Sequence, residues 1–120
     1  MEYKKIHIDW ETFGIMIDKL ADQIKENHKG TFDGVYGVPR GGLPIATVLS
    51  HKLGLPLLLY PNKKSLICDD ISDTGKTLQS HKNKFIATLH STEWTTTKPD
   101  CFIEMKKKKT DWVVYPWEIK

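Results

Sequence analysis

From Asp9 onward apolar residues return at helical spacing, Phe13, Met16, Ile17, Leu20, Ala21 and Ile24, while Asp18, Lys19, Asp22, Lys25 and Glu26 fill the opposite face. The spacing predicts an amphipathic helix with Asp9 as its N-cap and the basic, glycine-terminated run Asn27-His28-Lys29-Gly30 at its end. Elsewhere the apolar positions come in short runs bounded by polar residues: Gly34 to Val38, Leu55 to Tyr60, Leu66 to Cys68 and Phe85 to His90. These read as strands, buried where the apolar run is unbroken. Leu43 to Ser50 reads as a helix that begins with Pro44 in its first turn and ends near Leu53-Gly54. Leu78 to Lys82 should finish a short helix, and Ser91 to Lys98 reads as polar loop. Strands around Cys101 to Met105 and Trp112 to Tyr115 flank Lys106-Lys107-Lys108-Lys109-Thr110, which reads as an exposed hairpin tip. Strands alternating with helices imply an α/β fold, a mostly parallel sheet flanked by helices with a small C-terminal β segment.

A length of 120 residues suits one domain over 1–120 with a single core. The formal charge of +3 is too mild to imply a nucleic-acid partner by itself. No apolar run approaches a membrane span, and Met1-Glu2-Tyr3-Lys4-Lys5 lacks the apolar region of a signal peptide. Cys68 and Cys101 show no metal-ligand spacing and read as small core residues, so a reducing cytoplasm is the expected home.

Chemistry concentrates in Ser65-Leu66-Ile67-Cys68-Asp69-Asp70-Ile71-Ser72-Asp73-Thr74-Gly75-Lys76-Thr77-Leu78. A buried strand stops on two acids, and a loop of small hydrogen-bonding residues follows, turning into a helix N-terminus. Backbone N–H groups at Thr74 to Thr77, the hydroxyls of Thr74 and Thr77 and the helix dipole suit a phosphate. Asp69 and Asp70 suit sugar hydroxyls or the waters of a magnesium ion. A nucleotide-binding P-loop is rejected although Gly75-Lys76-Thr77 ends like one, because Asp70 stands where that pattern needs its first glycine and would repel phosphates. Upstream, Gly41 and Gly42 allow positive φ and a close backbone approach to a ligand.

The run Ile67 to Leu78 closely resembles the phosphoribosyl-pyrophosphate (PRPP) motif of type I phosphoribosyltransferases: apolar strand, two acids, then an Asp-Thr-Gly-x-Thr phosphate loop. Gly37-Val38-Pro39-Arg40-Gly41-Gly42 resembles the pyrophosphate-binding loop of the same family. The C-terminal Asp111 to Glu118 resembles the tail of 6-oxopurine enzymes, particularly xanthine–guanine enzymes and their small archaeal relatives. The resemblance implies a minimal type I phosphoribosyltransferase fold and transfer of a phosphoribosyl group from PRPP to a purine base, with magnesium and a homodimeric assembly. It makes Asp69, Asp70, Asp73, Thr74, Gly75, Lys76 and Thr77 the PRPP site, with the 5-phosphate on Thr74, Gly75, Lys76 and Thr77, ribose hydroxyls and hydrated magnesium on Asp69 and Asp70, and diphosphate on Arg40, Gly41 and Gly42. It makes Asp73 a proton acceptor near N7 of the base and sets the base on Trp112 and Val113. Trp112, Tyr115 and Trp117 read equally well as core or interface residues. Two departures stand out. Only Pro61-Asn62-Lys63-Lys64 occupies the place of the family's mobile lid, as a solvated turn or as cations for diphosphate, and Ser91-Thr92-Glu93 stands where a purine-contacting lysine is usual. The departures motivate a rival reading, a non-catalytic PRPP or nucleotide sensor with a regulatory role.

Overall fold

The computed structural model describes residues 2–28 and 30–118; Met1 and Lys29 of the runs quoted above lie outside them. The elements are β1 (Lys4–His7), α1 (Trp10–Asn27), β2 (Gly34–Gly37), α2 (Gly42–Leu53), β3 (Ser65–Ser72), β4 (Phe85–Ser91), β5 (Glu104–Met105) and β6 (Asp111–Val114), with one 3-10 turn at Gln79–His81. Strands β2, β3, β4 and β5 make a parallel sheet in that order, and β1 pairs in parallel with β6 in a separate two-stranded sheet.

Asp9 caps α1 as its side-chain type suggests, its Oδ1 accepting from the Thr12 amide at 2.7 Å, which holds its carboxyl below the ordinary value. The six apolar residues of the periodic stripe are all buried. The helix ends at His28, whose N–H donates to Ile24 O, rather than on the glycine. Gly54, at φ +65°, closes α2 in the left-handed conformation that a C-terminal glycine adopts without strain.

β3 is the spine. Leu66 and Cys68 face α1 and α2 in the main core with Ala87 and Leu89 of β4. Ile67 faces the other way, into a smaller cluster with Val38, Ile86 and Leu78. Leu78 is fully buried there, so the segment following the acid strand is stapled to the sheet by one side chain.

Four expectations are corrected. β3 does not stop on the acids but runs through them to Ser72, because Asp69, Ile71 and Ser72 stay in register with Thr88, His90 and Ser91 of β4. Leu55 to Tyr60 is no buried strand: it touches β2 through a Val35–Leu57 bridge, and then Leu59 and Tyr60 stand more than four-fifths exposed, at 83% and 82%. Pro56 and Pro61 bracket this piece, and a residue without an N–H cannot extend a ladder inward. Residues 106–110 do not form a hairpin tip, since β5 joins β4 while β6 goes to β1. The helix expected after the phosphate loop is only turns and the three-residue 3-10 segment. Ser80-His81-Lys82-Asn83-Lys84 offers no apolar partner at the spacing that would give Leu78 a buried stripe, and so short a helix is marginal alone.

Replacing Leu78 by Ala should therefore destabilise the protein by about 2–5 kcal/mol, since a void the size of the three lost carbons would open under the loop with nothing to fill it. Urea unfolding followed by circular dichroism measures this, and a loss below about 1 kcal/mol, short of that range, would show that the loop is held by something else.

Candidate functional site

Parallel strands place all their carboxyl ends at one edge, and the loops after β2 and β3 meet there. The loop after β2 is drawn against β3 by the Val38 amide, which donates to Cys68 O at 2.9 Å. A side chain at Gly42 would collide with the Cys68 carbonyl, and one at Gly41 with the Asp70 carboxylate. Neither glycine has positive φ; Gly41 sits at φ −60°. Close approach, and not left-handed backbone, is the reason for the glycine pair. The Pro39–Arg40 peptide bond is cis, and Arg40 is exposed.

Asp69 is 7% exposed and Asp70 part-buried. Asp69 Oδ1 accepts from the Asp70 amide at 2.9 Å and Asp70 Oδ1 from the Ile71 amide at 2.7 Å, and the two carboxyl groups lie within hydrogen-bonding reach of each other. Burial, and then the neighbouring Asp70 charge, pushes the Asp69 carboxyl up to about 8; burial also raises Asp70. The Asp70 carbonyl is the second anchor. It accepts from the Tyr115 hydroxyl at 3.1 Å, and that hydroxyl lies 2.8 Å from His90 Nδ1. Burial lowers the His90 pKa against the pull of Glu104, whose Oε2 lies 3.5 Å from His90 Nε2. Burial, with the carboxylates around it, holds the Tyr115 phenol well above its ordinary value.

Beyond the acids, residues 69–75 with Thr77 and Leu78 line a cavity of about 200 Å³. Its phosphate loop is gripped from behind by residues 92–97, the stretch that reads from sequence as plain polar loop. Thr92 Oγ1 donates to Asp73 O, Thr96 N and Oγ1 to Thr74 O, and Thr97 Oγ1 to Gly75 O. Asp73 itself does not cap its own loop. Its Oδ1 accepts from Trp94 Nε1–H at 2.8 Å and its Oδ2 from the Lys106 ammonium at 2.6 Å. Lys106, expected in a solvated tip, is 8% exposed; it and Lys109 lie over the Trp94 ring at 5.9 and 5.4 Å. Four consecutive lysines carry no hint of which one turns inward, and a lone Trp94 in a threonine run was the one available signal of a packed segment.

Two predicted groups stand on other elements. Trp112, about half exposed, sets its ring edge-on to Tyr3 at 5.9 Å on the β1–β6 pair, with Val113 beside it. Lys63 and Lys64 sit at the amino edge, where the Lys64 carbonyl accepts from the Asp33 amide at 3.0 Å. They border a larger hollow of about 680 Å³ with Lys82 and Lys84. Five residues of extended strand lead from Lys64 to Asp69, roughly 16 Å. They are therefore a solvated turn and do not reach a diphosphate at the carboxyl edge.

No family model matches the chain. A solved purine phosphoribosyltransferase from Pyrococcus horikoshii is 31% identical over 97% of this chain and 95% of that one, with a TM-score of 0.80. The chain belongs to the type I phosphoribosyltransferase family. The xanthine–guanine–hypoxanthine phosphoribosyltransferase of Helicobacter pylori shares the phosphoribosyltransferase fold at 20% identity, covering 97% and 95% of the two chains with a TM-score of 0.81. Among curated proteins, the transcriptional regulator GfcR of Halobacterium salinarum is 31% identical over 80 residues, 60% of this chain and 37% of that protein. The match thus spans little more than a third of the curated relative's length.

In this phosphoribosyltransferase the acid pair sets a pH dependence. Because the Asp69 pKa is raised on folding, from 3.8 to about 8, the folded state holds the proton more tightly than the unfolded chain. Metal-free protein should lose stability as pH rises from about 4 to 8 through this group, the opposite of a salt-bridged carboxylate. Thermal melts with and without magnesium at pH 5 and pH 8 test this, the expected result being a larger magnesium-induced rise at pH 8. An equal rise at both would mean that the acid pair does not meet the ion.

Proposed function

We propose that the protein transfers the phosphoribosyl group of PRPP to a purine nitrogen, a 6-oxopurine by preference, giving a nucleoside monophosphate and diphosphate. The observation that carries this reading is the meeting of Gly41 with the Asp70 carboxylate, which brings the diphosphate loop, the acid pair and the phosphate loop to one edge. Thr74, Gly75, Lys76 and Thr77 would hold the 5-phosphate, Asp69 and Asp70 the ribose hydroxyls, and Arg40 with Gly41 and Gly42 the departing diphosphate. Trp112 and Val113 would floor the base.

The acid pair fits magnesium held through water: two part-buried carboxyl groups side by side receive one backbone amide each, and no lysine or arginine among the described residues pairs with them. When bound, magnesium supplies positive charge against the diphosphate. Asp69 and Asp70 orient its waters, and positioning with charge neutralisation carries most of the rate. Asp73 retains a second lone pair on each oxygen and would accept the proton lost by the purine.

We place the protein in the cytoplasm as one domain of 120 residues. Among the described residues no helix is long and apolar enough to cross a membrane. Pairing of two copies would use the open sheet edge at Leu57, Leu59 and Tyr60, whose side chains are exposed.

A second reading, a PRPP- or nucleotide-binding regulator without turnover, is favoured by the curated relatives named as transcriptional regulators and by the short 59–64 turn, which cannot fold over the carboxyl edge. Turnover with PRPP, magnesium and a panel of hypoxanthine, guanine, xanthine, adenine, uracil and orotate separates the two. Product with a purine supports the enzyme, whereas calorimetric PRPP binding without product supports the regulator. Asp70→Asn should weaken PRPP by about tenfold or more, as expected for a charge-assisted hydrogen bond. Unchanged affinity in saturating magnesium would remove Asp70 from the site.

Asp73 needs a paired test, because its carboxylate also balances a buried ammonium. Asp73→Asn should lower both turnover and the melting temperature; Lys106→Met should lower the melting temperature, and the double variant should recover stability but not rate. A general base contributes about 10²–10⁴ in rate. Recovery of rate along with stability would make Asp73 a structural partner of Lys106.

A further inference from the structure

We infer that residues 92–97 act as a positioning clamp that turns the amides of the phosphate loop toward the ligand. The inference deepens the proposed PRPP site and rests on that reading. Consecutive carbonyl oxygens of Asp73, Thr74 and Gly75 accept from Thr92 Oγ1 at 2.6 Å, Thr96 Oγ1 at 3.0 Å and Thr97 Oγ1 at 2.7 Å. In a planar trans peptide the C=O and the N–H of one unit point in opposite directions. Drawing these carbonyls onto one wall therefore aims the N–H groups of Thr74, Gly75 and Lys76 away from it. The cavity bounded by Asp70, Thr74 and Thr77 lies on that loop. A run of backbone amides facing one way is an anion site even without a helix behind it.

Further contacts make the wall rigid. Thr92, Thr95 and Thr97 are buried, at 2%, 7% and 4% exposure, so their hydroxyls have little water to turn to. Ser72 Oγ, at the end of β3, donates to Thr97 O at 2.6 Å and lies 2.8 Å from Thr95 Oγ1, which fastens the clamp to the acid strand. Gly75 lies flat on the wall at φ +89°, where a Cβ would fall 2.5 Å from Thr97 N and 2.6 Å from Thr95 Oγ1. The glycine of the Asp-Thr-Gly run is thus required by the clamp as much as by its own φ. Trp94 and Lys106 complete the arrangement by engaging the Asp73 carboxylate, whose charge would otherwise oppose a phosphate on the same loop.

A clamp that only stabilised the loop would change melting temperature; one that aims amides changes what those amides feel when an anion arrives. The test uses the full chain and two independent variants, Thr97→Val and Thr92→Val, with Thr97→Ser as the conservative control that keeps the hydroxyl. Calorimetry measures ribose 5-phosphate affinity, and amide chemical shifts of Thr74, Gly75 and Lys76 are followed during titration with ribose 5-phosphate and, separately, inorganic phosphate. The expected result is shift changes at these amides in the parent, roughly tenfold weaker ribose 5-phosphate binding in each valine variant, and restoration by Thr97→Ser. If the parent binds and folded valine variants bind equally well, or if Thr97→Ser is as weak as Thr97→Val, the clamp is overturned while the PRPP site stands. If one valine variant does not fold, the other decides by the same criterion, and should both unfold, Thr97→Ser and the parent amide shifts decide. A parent that binds no ribose 5-phosphate, with no shifts at these amides, overturns both readings.

Discussion

Two carboxylates on consecutive residues of a central strand are an awkward thing to bury. Taking one carboxylate out of water costs several kcal/mol even after local relaxation, and a like charge beside it adds to the penalty. Asp69 and Asp70 receive one backbone amide each and no cation, so the fold meets part of the cost by holding a proton on the pair. Their surroundings are shaped around them. Gly41 has no side chain because Asp70 occupies the space, Gly42 has none because the Cys68 carbonyl does, and Tyr115 reaches from beyond β6 to hold the Asp70 carbonyl. A strand that kept apolar residues at these positions would need none of these adjustments, and the sheet would have no reason to open at this edge.

The phosphate loop shows how little a helix is needed. A helix dipole contributes about 0.3–1 kcal/mol to a nearby anion, whereas a single hydrogen bond to a charged group contributes about 1.5–3. Reducing the expected helix to a 3-10 turn therefore forfeits less than misaiming one amide would. What the loop requires is a fixed orientation. Leu78 supplies it from the apolar side and the threonines from the polar side, so the loop is held between a buried side chain and a row of hydroxyls.

Local signals were legible where they act locally. The stripe from Phe13 to Ile24, the Asp9 cap, the Gly54 stop and the apolar runs of β2, β3 and β4 follow from spacing and side-chain chemistry, and the structure has them all. Leu55 to Tyr60 misled because an unbroken apolar run looks the same whether it lies in the middle of a sheet or along its open edge. The loop from Asp73 to Thr77 carries its resemblance in its own residues, yet its support is not written there. Thr92, Thr96 and Thr97 lie about twenty residues downstream of the carbonyls they bind, at separations of 19 and 22, and a threonine run has no periodicity to mark it as buried. Lys106 is harder still: its burial depends on a carboxylate 33 residues away and on β5 joining β4 instead of β6.

The short connection between Leu58 and β3 bears on how this edge can work. It turns back at the amino end, where the Ser65 amide donates to Asn62 O and the Asp33 amide to Lys64 O, so it is committed to the end of the strands opposite the acids. A site covered by a moving lid can order its donors as the lid closes. One without that lid must have them aimed beforehand, since ordering each loop residue on binding costs about 1–2 kcal/mol of backbone entropy. The hydroxyls behind Asp73, Thr74 and Gly75, and the Lys106 and Trp94 donors on the Asp73 carboxylate, belong to residues of the 92–97 segment and to the residue that follows β5. Rigid support from two neighbouring pieces of chain takes over the ordering that a longer connection would otherwise bring with it.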